Sequence, residues 1–314
     1  MMTNIHDVAR LSGYSVSTVS RVLNHKDYVT TETRAAVQKV IDELDYVPND
    51  VARDLSRGKT MTIGVILPNL DHPYFVQLIQ GITKAAFVAD YHVILLSSRF
   101  EAEIERTYLA AFRRKAYDAL IFTSHGLPLA EIATYQKYGP IVICQPPRDS
   151  GLSAAYAHRR QTYVQALTTL KVQGCQRVAL LMSRPIAVSE TSQATAEAYR
   201  IVYGESPRPA MLATDVITMA DGQRAAERFI ASGQTFEAIF ANSDDIAVGV
   251  QRAYQQAKLP VPVLIGQEHQ LSGELAQFPT IDHHCQIVGQ QALQLAVSGE
   301  KRRIAIDSEF INNW

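Results

Sequence analysis

Cysteine is scarce and unclustered in this chain: Cys144, Cys175 and Cys285 show no CxxC pair and no metal-ligand spacing. That excludes a disulfide-stapled scaffold and points to buried or free thiols in a reducing cytoplasm. Long apolar runs are missing too, and no stretch approaches the roughly 20 residues a membrane span requires. The opening MMTNIHDVAR has no apolar core of the kind a secretory signal carries, so neither membrane nor export is expected. Charge of one sign is also lacking. Lys and Arg number 30 against 31 Asp and Glu, and residues 1–59 hold five Arg and three Lys against six Asp and two Glu. Affinity for a polyanion would therefore depend on where a few charges sit and on pairing two copies. GxSxG, Walker and GxGxxG patterns are absent, so neither catalysis nor a cofactor is expected.

Two spots invite chemistry and are set aside. Asp244-Asp245 are consecutive, so their side chains cannot both face one glycosidic bond. Asp282-His283-His284-Cys285 has no further ligand at supporting spacing, so it reads as the start of a helix and no metal is expected. Arg113-Arg114-Lys115 and Lys301-Arg302-Arg303 read as solvated turns or helix ends.

What the chain does have is a dense pattern over residues 5–24. Ile5, Val8, Ala9 and Leu11 are spaced to share one face of a short helix. Gly13 sits where that helix must stop, because it tolerates the left-handed conformation that closes a C-terminus. Ser15 offers an N-cap oxygen to a second helix from about Val16 to Leu23. Val19, Val22 and Leu23 face inward there, leaving Val16, Ser17, Thr18 and Arg21 outward. A short helix exposing small side chains and one arginine is shaped to enter a DNA major groove. Thr31 to Leu44 reads as a third helix, capped by Thr30 or Thr31, with Ala35, Val37, Val40, Ile41 and Leu44 on its buried face. Pro48 interrupts the chain. Asn49 to Ser56 then reads as a helix too short to hold alone in water, followed by an Arg57-Gly58-Lys59 linker.

From Met61 the texture becomes alternating strands and helices. Strands are expected at Thr62–Leu67, His92–Ser97, Ala119–Thr123 and Ile141–Cys144. Helices lie between them near Tyr74–Ala89 and Glu101–Arg114. A second series has strands at Arg177–Met182, Val216–Met219, Glu237–Ala241 and Val263–Ile265, with helices near Thr191–Tyr203, Gly222–Ser232 and Asp245–Ala257. Such alternation means parallel sheets covered on both faces. Two series mean two α/β subdomains, whose ligands would sit in the cleft at the carboxyl ends of the strands.

The run DVARLSGYSVSTVSRVLN, continuing through VTTETRAAVQKVIDELDYVPNDVARDLSRGKTMTIGVILPN, resembles the LacI/GalR family of bacterial transcription regulators almost position by position. The resemblance implies an all-α helix-turn-helix headpiece (1–47), a hinge helix and linker (48–59), and a core (60–314). That core would have the periplasmic-binding-protein-like fold of two doubly wound parallel-sheet subdomains, about 60–160 plus 281–303 and about 161–280 plus 304–314. It further implies a homodimer on a palindromic double-stranded operator. Val16, Ser17 and Arg21 would read base edges, and Thr18, Ser20 and Asn24 would hold phosphates. Leu55 would wedge into the minor groove at the centre.

For the cleft, the resemblance implies Asn69, Tyr74 and Phe75 from GVILPNLDHPYF and Ser243 and Asp244 from FANSDDIAVG. The family's sugar-binding carboxylates and arginine fall on Gln145, Thr195, Glu268 and His158. Two modes of control remain open on these replacements. One is a small-molecule effector, such as a sugar derivative, with fewer charge partners. The other is a degenerate pocket with control by a protein corepressor, which in the catabolite-control branch is a phosphorylated phosphocarrier protein. A third possibility is a sugar-binding-type protein with a vestigial headpiece. The reading adopted is a cytoplasmic, ligand-modulated transcription repressor without catalytic activity.

Overall fold

A polar side chain caps the N-terminus of each short helix in the first part of the chain. The computed structural model describes residues 3–24, 28–47 and 58–312 and divides the chain into two units, 1–60 and 61–314. Helix α1 (Ile5–Ser12) starts at Asn4, whose side-chain oxygen accepts from the amides of His6 at 2.8 Å and Asp7 at 3.3 Å. Asp7 accepts in return from the Asn4 amide, closing a capping box. Gly13 ends α1 at φ +76°, as expected. Ser15 caps α2 (Val16–Leu23), and Thr30 caps α3 (Thr31–Glu43). The three helices pack around Val8, Val19 and Val37, all fully buried.

Two expected core residues are not there. Leu11 is 52% exposed. At about 100° per residue the inward stripe of α1 runs through Ile5, Val8, Ala9 and Ser12, and Leu11 falls beside it. Ala35 is exposed because it projects from the face of α3 opposite Val37 and Ile41. The expected helix at 49–56, with Leu55, lies outside the described residues.

The second unit lays down β1 (Thr62–Leu67), α4 (Pro73–Val88), β2 (His92–Ser97), α5 (Ala102–Arg113), β3 (Ala119–Phe122), α6 (Leu129–Ala133), β4 (Ile141–Ile143) and β5 (Ser153–His158). It continues with α7 (Arg160–Val172), β6 (Val178–Leu181), α8 (Glu190–Tyr203), β7 (Leu212–Ala213), α9 (Met219–Ala231), β8 (Ala238–Phe240), α10 (Asp244–Gln256), β9 (Val263–Ile265) and α11 (Leu271–Ala276). The last elements are β10 (Thr280–Asp282), α12 (Cys285–Ser298), β11 (Arg303–Asp307) and β12 (Glu309–Ile311). Six parallel strands form one sheet in the order β11-β5-β4-β3-β1-β2, and four form another in the order β7-β6-β8-β9. Crossovers through helices cover both faces, and the inner strands β1, β3, β4, β6 and β8 are buried accordingly, while the edge strands β2 and β11 are largely exposed.

The second series departs from expectation at Val216–Met219, which is not a strand. Thr218 and Asp221 form a capping box there and start α9, leaving a two-residue strand upstream at Leu212–Ala213. The final crossings also differ. β11 pairs in parallel with β5, so 304–307 belong to the first sheet. β10 pairs with β12 and packs Ile281 and Phe310 on the second subdomain's core, so 281–282 belong there.

Glycines set the helix spacing in each subdomain. On α4 a Cβ at Gly81 would stand 2.0 Å from the carbonyl oxygen of Gln286, and on α12 one at Gly289 would stand 2.3 Å from that of Leu78. Gly222 and Gly249 form the same reciprocal pair of notches between α9 and α10. The helices therefore meet backbone to backbone, which fixes the subdomain frames from which the cleft walls project.

Candidate functional site

In the headpiece, α2 offers its solvent side from the N-terminal end. Ser17 and Arg21 are exposed, Thr18 and Ser20 are half-buried, and Val16 is half-buried against the helical core. The Ser15 cap hydroxyl lies 2.8 Å from Ser17 Oγ and 2.9 Å from Thr18 Oγ1, so these hydroxyls form one local network at the helix start. Arg21 holds its guanidinium over the Tyr28 ring, 5.7 Å from the centroid. This stacking limits the arginine's rotamers while leaving its donors outward. Asn24 is the C-cap, its amide donating to the Ser20 carbonyl at 2.7 Å. The arrangement presents small hydroxyls and one planar cation on the solvent side of a short helix, groups of the kind that can bond base edges in a major groove.

In the core, a cleft opens between the two sheets' carboxyl ends. Of the eight residues expected there, Asn69, Tyr74, Phe75, Gln145 and Glu268 line it together. Thr195, Ser243 and Asp244 do not. Thr195 is buried and its hydroxyl donates to the Thr191 carbonyl at 3.0 Å. Ser243 caps α10. Asp244 is fully buried behind the wall, where its carboxylate accepts from the Gln270 amide and the Thr280 hydroxyl, each at 2.6 Å. His158 points outward to Asp307 at 2.9 Å. The next residue, Arg159, enters the cleft instead. Alternation at a strand end explains the switch, since successive side chains leave on opposite faces.

Arg159 is 8% exposed and lies over the Tyr74 ring, 5.0 Å from the centroid. Its Nε has no hydrogen-bond partner, and no carboxylate among the described residues comes within 4.0 Å of it. Across from it, Asn242 donates to the Val216 carbonyl at 3.0 Å, but its Oδ1 is buried without a partner. Gln267 is held from three sides. Its Oε1 accepts from Tyr163 at 2.8 Å and lies 3.0 Å from His283 Nε2, and its amide donates to the Ala241 carbonyl. That network assigns the His283 proton to Nε2, with Nδ1 accepting from Ser308. Burial, with Arg159 nearby, drives the His283 pKa well down and keeps the ring neutral. Burial likewise brings His72, which caps α4 through Nδ1, down to about 4.

Sequence reasoning missed Arg159, Asn242, Gln267 and His72. The HRR run was the available signal, read one residue too early. Glu268 sits at φ +80°, a strained conformation kept because its amide donates to Ile281 and its carbonyl accepts from Gln77.

Burial pushes the Glu268 carboxyl up to about 7, against the pull of Arg159 and of the Cys285 thiol that donates to it. Burial also raises Asp244 to about 7, against its bonds from Thr280 and Gln270. Both folded values exceed the unfolded ones, so between about pH 4 and 7 the native state holds protons that the unfolded chain has released. The contribution of these two carboxyls to stability should therefore fall as pH rises through that window, while His72 and His283, whose values burial lowers, contribute in the opposite sense. Glu268→Gln is expected to remove part of this slope, its melting temperature gaining on wild type between pH 5 and pH 8. Parallel curves would show that Glu268 does not titrate there.

Residues 4–49 match the bacterial regulatory proteins of the lacI family, and residues 60–311 match the periplasmic binding proteins and sugar binding domain of the LacI family. The chain is 39% identical over 309 residues to catabolite control protein B of Bacillus subtilis (strain 168), covering 98% of this chain and 99% of that protein. It is 31% identical over 265 residues to the sucrose operon repressor of Pediococcus pentosaceus, covering 83% and 80%. In fold it is similar to the lac repressor dimer bound to operator and the anti-inducer ONPF, with a TM-score of 0.84, 19% identity, and coverage of 99% and 98%. A helix-turn-helix unit ahead of a cleft-bearing α/β core, each matched by the same family, makes this chain a member of the LacI family of bacterial regulatory proteins.

Proposed function

We propose that this regulator is a homodimeric, cytoplasmic repressor that binds a palindromic operator and changes its operator affinity when a small molecule occupies the cleft. Val16, Ser17 and Arg21 are assigned to base edges, Thr18, Ser20 and Asn24 to phosphates, and Leu55 to the central base step. The observation that carries the cleft reading is the pair of unpartnered polar atoms in its walls, Arg159 Nε and Asn242 Oδ1. Buried polar atoms are nearly always bonded, so two orphans on residues that line one cleft favour a small-molecule effector that bonds them over a degenerate pocket controlled by a protein alone. The names of relatives support the repressor assignment, among them the ribose operon repressor of Halalkalibacterium halodurans, 30% identical over 262 residues.

Pairing is supported by an apolar surface on the first subdomain. Phe87 and Val88 at the end of α4 are 88% and 84% exposed, and Ile94 and Leu95 are exposed on the edge strand β2. An uncovered apolar edge of this kind is suited to a second copy. Ligand-driven change in the angle between subdomains would be transmitted to the paired hinges, with a coupling of about 1–3 kcal/mol.

Selection of bound duplexes from a random library by the full-length protein tests this function. Enrichment of a two-fold symmetric site whose affinity shifts with a cleft ligand is expected. Recovery of no symmetric site would contradict it.

A further inference from the structure

Resting on the small-molecule reading above, we infer that the effector is an anion, a phosphorylated or carboxylated polyol whose acidic group seats on Arg159. Three charged side chains line the cleft: Arg159, Arg184 and Glu268. Arg159 is more than nine-tenths buried, its Nε lacks a hydrogen-bond partner, it lies over the Tyr74 ring, and Tyr163, Cys285 and Glu268 also act on its charge. Arg184 lies over the Phe100 ring at 3.8 Å from the centroid, and no carboxylate among the described residues pairs with it within 4.0 Å. Glu268 shares its carboxylate with the Cys285 thiol, and burial holds it partly protonated near neutral pH. Two arginines thus face a cleft with less than one full negative charge. A buried guanidinium without an ion pair is costly, and its planar donor set suits a carboxylate or phosphate.

Neutral polar groups complete the complement. Asn242 Oδ1 is a buried acceptor without a donor, suited to a ligand hydroxyl. Phe75 offers an apolar edge for a sugar face. Gln145 stands where the family resemblance places a carboxylate, which removes a charge that would repel an anion.

Calorimetric titration of the full-length protein tests the inference with matched pairs: ribose 5-phosphate against ribose, and glucuronate against glucose. Inorganic phosphate alone serves as a control for the anion without its polyol. At least one acidic member is expected to bind about tenfold or more tighter than its neutral parent, as a charge-assisted bond would give. Which pair responds separates phosphate from carboxylate. Arg159→Gln should abolish that preference while the protein keeps its cooperative melting transition, and Arg159→Lys should retain part of it. Neutral sugars binding as tightly as their acidic partners would overturn the anion assignment and leave the effector-gated regulator standing. An undiminished preference in Arg159→Gln would overturn the role of that residue. No binding by any probe would overturn the anion assignment together with the small-molecule reading.

Discussion

Replacing Arg21 with alanine is expected to weaken binding to the selected operator by about 1–3 kcal/mol, roughly 5- to 150-fold, while binding to unrelated duplex changes little. Arg21 is the one exposed cation on α2, and its side chain is held outward over Tyr28. A guanine edge presents two acceptors in the major groove, and a guanidinium spans both. Loss of such a pair removes discrimination, whereas loss of a phosphate contact lowers affinity for all sequences alike. Fluorescence anisotropy on specific and scrambled duplexes measures both quantities. Equal weakening on the two would reassign Arg21 to the backbone. Tyr28→Ala should show a smaller loss of the same kind, because Tyr28 orients the arginine without touching a base.

The second large effect concerns the frame behind the cleft. Gly249→Ala would place a Cβ 2.0 Å from the Met219 carbonyl oxygen, with Gly222 forming the opposing notch against Ile246. Neither contact is with a flexible side-chain tip, so α9 and α10 must separate. Overpacking of this kind costs about 1–3 kcal/mol and sometimes more. At roughly 2–4 °C per kcal/mol the core's melting temperature should drop by several degrees. Ligand affinity should fall with it, because α10 carries the Asp244 anchor that ties Gln270 and Thr280 together behind Glu268. A melting curve superimposable on wild type would mean that the helices are not in backbone contact.

The headpiece was legible because its signals are local. Gly13, Ser15 and Thr30 act through their own backbone neighbours, and the structure has each of them in its expected capping role. Strands β1, β2 and β9 were equally readable as bounded apolar runs. β5 was not, because SAAYAH has weak strand preference and owes its state to pairing with β4 and β11. The run Val216-Ile217-Thr218 misled for the opposite reason, since its β-branched texture was overridden by the Thr218–Asp221 capping box.

The cleft was half legible. Asn69, Tyr74, Phe75, Gln145 and Glu268 could be carried over because they sit in loops or in the first turn of α4, with recognisable flanks. Asp244 and Thr195 could not be told from cleft residues by position alone, since only burial and bonding partners show that they face inward. Arg159 differs from His158 by a single pleat, which no composition or spacing discloses.

Guanine N7 lies in the floor of the major groove, so its methylation by dimethyl sulfate in the bound operator reports directly on whether α2 is seated there. With wild-type protein, at least one guanine in each half-site should be protected, and with Arg21→Ala bound to the same occupancy that protection should disappear. Half-site guanines that stay fully reactive under the bound wild-type protein would contradict the docking of α2 and the assignment of Ser17 and Arg21 to base reading.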